Sequence, residues 1–437
     1  MSIEMLTLFM FGTVTIALVL GLPLAFALGG IAVAATLMMG GPDALVGIIF
    51  NTFGTMWAIT YVAIPLFVIM GIALERSGLA EDLYRTLYLW SGALRGGLAI
   101  ATVTISAIFA AMAGVAAAAV VSMGLIGLPA MLKRKYDKNL AIGSILASGP
   151  LGILIPPSVP MVILGTTTSM SIGRIFAGGV VPGILITAIF IAYVGFRCLF
   201  QHHLAPALPQ EERGTLRDKL ISLKSVILPA LLITAVLGSI FAGIASPTEA
   251  AAVGALGAIL CAVIYRRFNW QFVKEVSYRS ASFTAMIMWI TFGAVAFSAV
   301  YSGAGVTAFL LKTLGEAQIN RWLILVAMEL ILLFLGCFLE PASMILICAP
   351  IFFPIVKALQ FDPVWFAILF VMLIMVGYLT PPFGYSIFYL KSVAPPSVSM
   401  TDIYRSVTPW IIMMLLAIVL VMLFPQIALW LPNLTKG

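Results

Sequence analysis

Charge is what this sequence has least of. Only 9% of its 437 residues are Asp, Glu, Lys or Arg, 62% are hydrophobic, and the mean hydropathy is +1.17. Soluble proteins carry about 25% charged residues, so a soluble globular protein is excluded and a polytopic membrane protein is implied. No segment is long and polar enough to make a soluble domain. Histidine is nearly missing: His202 and His203 share one polar loop, and no cluster of metal ligands surrounds them. The four cysteines (Cys198, Cys261, Cys337, Cys348) are scattered in apolar surroundings without C-x-x-C spacing. They are expected to pack as small apolar residues, with neither a zinc site nor a disulfide framework. An intramembrane enzyme needs a nucleophile–base pair or a metal cluster within the bilayer. Neither histidine lies in an apolar run and no Asp pair does, so the chain is not expected to be an enzyme. A channel is disfavoured for a similar reason, since no charged stretch could form a pore ring.

What is present is apolar runs from end to end, such as Leu6–Leu20, Ala177–Ile191, Val226–Ala242 and Ile411–Leu423 with their flanks. The first run continues into a second after Pro23 without a basic leader, and reads as a membrane helix, not a cleaved signal. The net charge of +7 invites a nucleic-acid partner, but its distribution argues otherwise. Of 23 Lys and Arg, 15 sit in four stretches: Arg76/Arg85/Arg95, Lys133/Arg134/Lys135/Lys138, Arg213/Arg217/Lys219/Lys224 and Arg266/Arg267/Lys274/Arg279. Basic loops of this kind hold cytoplasmic faces in place.

The chain also contains itself twice. A shift of 225 residues carries Pro156 onto Pro381, Pro129 onto Pro354, Asp137 onto Asp362, Gly152 onto Gly377 and Leu154 onto Leu379. Ser77-Gly78 meets Ser302-Gly303 at the same shift, and "RTL" at Arg85 pairs with "KTL" at Lys312 at a slightly larger one. The matches together indicate a duplicated half of about 200 residues. The loop Lys133–Lys138 carries four basic residues and its counterpart Ala358–Pro363 none. If basic loops face the cytoplasm, equivalent loops face opposite sides, which defines an inverted-topology repeat and points to a secondary transporter. Residues 1–200 form the first repeat, 201–223 a cytoplasmic linker and 224–437 the second repeat.

Both repeats break a helix at a Pro-Pro pair, Pro156-Pro157 in "GILIPPSVP" and Pro381-Pro382 in "GYLTPPFGY". Proline lacks an N–H and clashes with the carbonyl four residues earlier, costing about 3 kcal/mol inside a helix. At membrane depth such a break is tolerated only where it is buried in protein or lines a cavity. Carbonyls freed near Gly152–Ile155 and Gly377–Thr380 suit a hard cation such as sodium, and opposing half-helix N-termini suit an anion. Thr380 adds a hydroxyl; Ile155, at the matching position, offers backbone only. Upstream of each break, Ala110–Gly124 and Phe334–Pro350 are suited to re-entrant hairpins or second broken helices. The fold expected is therefore all-α and polytopic, with an inverted repeat, two hairpins and two Pro-Pro-broken helices.

Several polar residues carry two readings. Glu340 before Pro341 is a functional carboxylate or a helix cap, and Glu249 in "SPTEAAAVGA" reads foremost as a cap. Glu329 is expected to be buried. After the first break, Thr166 and Thr167 offer hydroxyls, and Arg174 is a bidentate partner for a carboxylate or a side chain reaching to the membrane surface. Ser158 joins them as a substrate candidate, as do Tyr385 and Ser386 after Pro382. Gly78–Gly97 is amphipathic, with Leu79, Leu83, Leu87 and Trp90 at helical spacing, and is expected to lie flat on the cytoplasmic interface.

With "SGPLGILIPPSVP", "SPTEAAAVGA", "LEPASMILICAPIFFPI" and "VGYLTPPFGYSIF" in this order, the whole chain resembles the large membrane subunit of tripartite ATP-independent periplasmic (TRAP) transporters. The resemblance implies an elevator-type transport domain braced by a scaffold in the bacterial inner membrane. It implies coupling to sodium ions with no other cofactor, a small four-helix membrane subunit, and a periplasmic solute-binding protein that delivers an organic anion: a carboxylate, sugar acid or sulfonate. Carried over by position, one sodium site involves Gly152, Ile155 and Pro157 with backbone near Gly114. The other involves Gly336, Gly377 and Thr380. The chain departs from many members at Ala113-Gly114-Val115-Ala116, where Ser-Gly-Ser-Ser is common, and at Gly149-Pro150-Leu151-Gly152, where Gly-Thr-Leu-Gly is common. Hydroxyl ligands are lost at the first, while binding by carbonyls survives. The competing reading is a carrier that works alone, such as a sodium–dicarboxylate symporter.

Overall fold

The computed structural model describes residues 2–91, 94–114, 116–207, 209, 215–316 and 319–435. Val115 and the linker residues Glu211, Glu212 and Arg213 lie outside them. The described residues hold α-helices and no strand. In the first part of the chain these are α1 (Ile3–Val19), α2 (Leu24–Gly40), α3 (Leu45–Met56), α4 (Ala63–Arg76), α5 (Leu79–Ser91), α6 (Gly97–Ala113), α7 (Ala116–Lys133), α8 (Lys138–Ser148), α9 (Leu151–Leu154), α10 (Val159–Thr168) and α11 (Ile172–Phe200). A short α12 (Leu216–Ser222) leads into α13 (Lys224–Phe241), α14 (Pro247–Ile264), α15 (Trp270–Gly303), α16 (Val306–Glu316), α17 (Arg321–Gly336), α18 (Pro341–Ala358), α19 (Pro363–Gly377), α20 (Tyr385–Val393), α21 (Met400–Leu423) and α22 (Gln426–Leu429). Among the described residues, 9 segments are long and apolar enough to cross a membrane.

The element boundaries repeat at the shift read from the prolines. Both ends of α7, Ala116 and Lys133, recur 225 residues later as both ends of α18, Pro341 and Ala358. Left-handed backbone recurs too, at Lys135 (φ 59°) and Gln360 (φ 60°), and at Gly41 (φ 68°) and Arg266 (φ 56°). The Asp137/Asp362 match has a local cause. Asp137 Oδ1 accepts the Leu140 N–H at 3.0 Å to start α8, and Asp362 Oδ1 accepts those of Val364 at 2.7 Å and Trp365 at 3.1 Å to start α19. In each case the carboxylate satisfies first-turn N–H donors that have no partner within the helix.

Two packing groups result. In one, α14 lies on α4 and α13, α15 on α2 and α4, and α1 on α2. Arg279 clasps Glu75 with both nitrogens (2.9 and 3.2 Å), and Arg76 meets Glu275 at 2.9 Å, tying α4 to α15. The other group holds α6 to α10 and α17 to α22. Here the halves interlock: α10 packs on α18, and α20 packs on α7. The stretch Lys138–Thr168, which contains the first break, has 94% of its most apolar window buried, against 18% for Leu216–Phe241. Irregular backbone has thus been placed in protein, not lipid. The amphipathic segment forms α5, which packs on α6 and α12; Leu79 and Leu83 are buried, and Trp90 Nε1 donates to the Lys219 carbonyl at 3.1 Å.

Candidate functional site

At the first break, α9 stops at Leu154, Ile155 turns extended, the Pro156-Pro157 peptide is cis, and α10 begins at Val159. The prolines cannot donate to the carbonyls of Gly152 and Ile153. The Ser158 hydroxyl takes up Ile153, donating to its carbonyl at 2.6 Å, which leaves Ser158 buried and turned inward. Among the described residues, no backbone N–H reaches the carbonyls of Gly152, Ile155, Pro156 or Pro157. Opposite stands Gly114, left-handed at φ 63°, where it ends α6. A Cβ there would lie 2.7 Å from the Pro157 carbonyl oxygen, so only glycine permits this approach. The Gly114 carbonyl in turn accepts the Val159 N–H at 3.4 Å.

The second break repeats the plan with different backbone bonding. Residues 378–384 separate α19 from α20, with a cis Pro381-Pro382 peptide. Here the break bonds within itself: Thr380 N–H donates to Gly377 at 3.1 Å, Gly384 N–H to Thr380 at 3.1 Å, and Ser386 N–H to Tyr378 at 3.1 Å. Among the described residues, no backbone N–H donates to the carbonyls of Leu379, Pro381, Pro382 or Phe383. Thr380 Oγ1 donates to Val376 at 2.7 Å and keeps its lone pairs. Gly336, the last residue of α17, faces Gly377 so closely that a Cβ on Gly377 would stand 2.6 Å from the Gly336 Cα and carbonyl oxygen. The residues expected to hold ions are therefore brought together as two pairs of opposed backbones, Gly114 with Pro157 and Gly336 with Gly377.

The substrate candidates do not gather in one place. A cavity of about 590 Å³ lies between the two breaks, walled by Gly114, Ile153, Val159, Glu340, Ser343, Tyr378, Tyr385 and Tyr389, with Phe26 and Trp289 from α2 and α15 also in its lining. Of the residues named from sequence as solute ligands, Tyr385 alone is part of that wall. Thr166 and Thr167 line a separate cavity of about 520 Å³ with Asn51, Thr55, Tyr61, Ser298 and Ser302. Arg174 and Ser386 line neither. Arg174 sits in the first turn of α11, started by Ser171, and Ser386 is buried with its hydroxyl unbonded. The sequence reading missed Tyr378, Tyr389, Phe26 and Trp289. The spacing of the three tyrosines around the second break was a usable signal, whereas α2 and α15 give no local sign that they meet it.

The carboxylates divide as well. Glu249 is a cap, its Oε2 accepting the Ser246 N–H at 2.7 Å and hydroxyl at 2.8 Å in a capping box. Glu340 occupies the position before α18, accepts the Ser343 hydroxyl at 3.5 Å and borders the larger cavity. Glu329 is buried in α17, with Oε1 unbonded among the described residues.

Two broken helices meeting two glycine breaks in a protein-buried interior, with a cavity between them, give a multi-pass membrane protein the architecture of a transporter. Residues 11–427 match the family described as "Tripartite ATP-independent periplasmic transporter, DctM component", and the chain belongs to that family. It is 33% identical over 405 residues to the C4-dicarboxylate TRAP transporter large permease protein of Pseudomonas aeruginosa, covering 92% of this chain and 93% of the relative. It is 29% identical over 432 residues to the ectoine TRAP transporter large permease protein of Halomonas elongata, covering 98% and 99%. Among solved structures it is similar to the YdaH transporter of Alcanivorax borkumensis (TM-score 0.64, 16% identity, 97% of this chain and 100% of that one), a likeness of fold. The relatives are transporters, and the chain is not an enzyme.

Proposed function

We propose that the chain is the large permease of a sodium-coupled importer for an organic acid. A periplasmic binding protein delivers the solute, and a small four-helix membrane subunit braces the permease in the bacterial inner membrane. The observation that carries the reading is the pair of opposed backbones at the two breaks. Sodium, a hard cation, takes oxygen ligands, and the first break presents carbonyls of Gly152, Ile155 and Pro157 to which no backbone N–H of the described residues donates. The Thr380 hydroxyl adds a ligand at the second. The two packing groups support an elevator, in which the broken-helix group, with its residues split between two inverted repeats, slides against the α2–α4–α14–α15 group. The named solutes of the two relatives, a dicarboxylate and ectoine, differ in charge, so the family does not fix the solute.

The test is mass spectrometry of the gently solubilised complex, tagged on this chain, followed by uptake into proteoliposomes. A small four-helix protein in stoichiometric amount, and solute uptake driven by an inward sodium gradient only with the binding protein present, is the expected result. A chain that purifies alone and transports without a binding protein is instead a stand-alone sodium symporter.

A further inference from the structure

The larger cavity is an unusual chamber for a simple anion. Its described lining contains no Lys, Arg or His, and its one carboxylate is Glu340. Aromatic rings share the wall with that carboxylate. Tyr378 stacks on Tyr385 with centroids 5.5 Å apart and leans on Tyr389 at 6.3 Å, while Phe26 and Trp289, 6.0 Å apart and both exposed, line another part of the wall. Aromatic faces attract cations, most strongly where water is excluded. A dianion brought against Glu340 in this setting meets a like charge with no side-chain cation to offset it. The wall does hold one attraction for a carboxylate, since α7, α10 and α18 present their first residues (Ala116, Val159, Pro341) to it.

We infer that the solute is a zwitterion: an organic acid that also carries a positively charged nitrogen, seated between Glu340 and the tyrosines while its carboxylate faces the helix N-termini. The inference rests on the cavity being the solute site. It makes Glu340 a specificity-determining residue, and it accounts for a carboxylate that, among the described residues, neither caps through a capping box nor pairs with a base.

The full-length chain in lipid nanodiscs, titrated calorimetrically with glycine betaine and with succinate, provides the test. Glycine betaine is expected to bind more tightly than succinate. Glu340→Gln is expected to weaken betaine about thirtyfold, the loss that follows when one partner of a buried charge pair is removed, and Glu340→Asp to recover part of it. Ala342→Trp, which fills the cavity, is expected to abolish binding, with Ala117→Trp as a second filler and gel filtration reporting folding. If succinate binds more tightly and the fillers block it, the cavity is the solute site and the zwitterion assignment falls. If a probe binds and neither folded filler blocks it, both readings fall. Equal losses of the two probes in Glu340→Gln, or binding of neither probe by the wild type, also overturn the assignment.

Discussion

At the scale of single residues, glycine sets how closely the backbones at the two breaks approach. Gly114 combines a left-handed backbone with a 2.7 Å approach to the Pro157 oxygen. Gly114→Ala is expected to destabilise the protein by about 2 kcal/mol and to reduce uptake, measured by thermal unfolding in detergent and by proteoliposome flux. Gly377→Ala, whose Cβ would press on the Gly336 backbone, belongs to the same class and is expected to cost about 1–3 kcal/mol. Thr380→Val leaves the backbone intact and removes one hydroxyl. The sodium concentration for half-maximal uptake is expected to rise about tenfold, the worth of one good polar contact. An unchanged sodium response would remove Thr380 from the ion site.

At the scale of elements, the broken helices divide what was legible from what was not. Their existence could be read from prolines, because a missing N–H is a property of the residue itself. Their bonding could not. Among the described residues, the first break leaves the carbonyls of Gly152 and Ile155 without a backbone donor, whereas the second closes Gly377 and Thr380 onto its own N–H groups. That difference comes from the loop geometry of 378–384, which no single residue encodes. Where the hydroxyls near the break would lie was equally illegible. Thr166 and Thr167 sit three turns beyond Pro157, at the far end of α10, and open onto another cavity. Ser158 spends its hydroxyl on the adjoining turn. If the break is what exposes backbone to ions, restoring the helix should end coupling. The double variant Pro381→Ala/Pro382→Ala is expected to stay folded and to lose at least about tenfold in sodium-driven uptake. Retained uptake would reduce the second break to a packing kink.

For the whole molecule, the repeat was the most readable feature, since its signals are local acts repeated at one spacing: a capping aspartate, a left-handed turn, a pair of prolines. The cavity was the least readable, for its walls come from α2, α15 and both breaks, which only the tertiary fold unites. Opposite orientation of the two halves has a direct measurement. Lys133 and Ala358 are both exposed and stand in equivalent places, at the ends of α7 and α18. In a background without native cysteines, Lys133→Cys is expected to react with an impermeant thiol reagent from the cytoplasmic side and Ala358→Cys from the periplasmic side. Labelling of both from one side would mean a parallel repeat, and the topology given to the two breaks would have to be withdrawn.

The interlocking of α10 with α18, and of α7 with α20, also bears on how the protein is made. When α10 leaves the ribosome, the surface it must rest on begins only at Pro341 and has not yet been synthesised. At ordinary elongation rates the wait is roughly 10–35 seconds. Through that interval the interrupted helix has only first-half neighbours, such as α4, α6 and α11, to pack on. The first half must therefore persist in the membrane without α18 and α20 until the second half has been made.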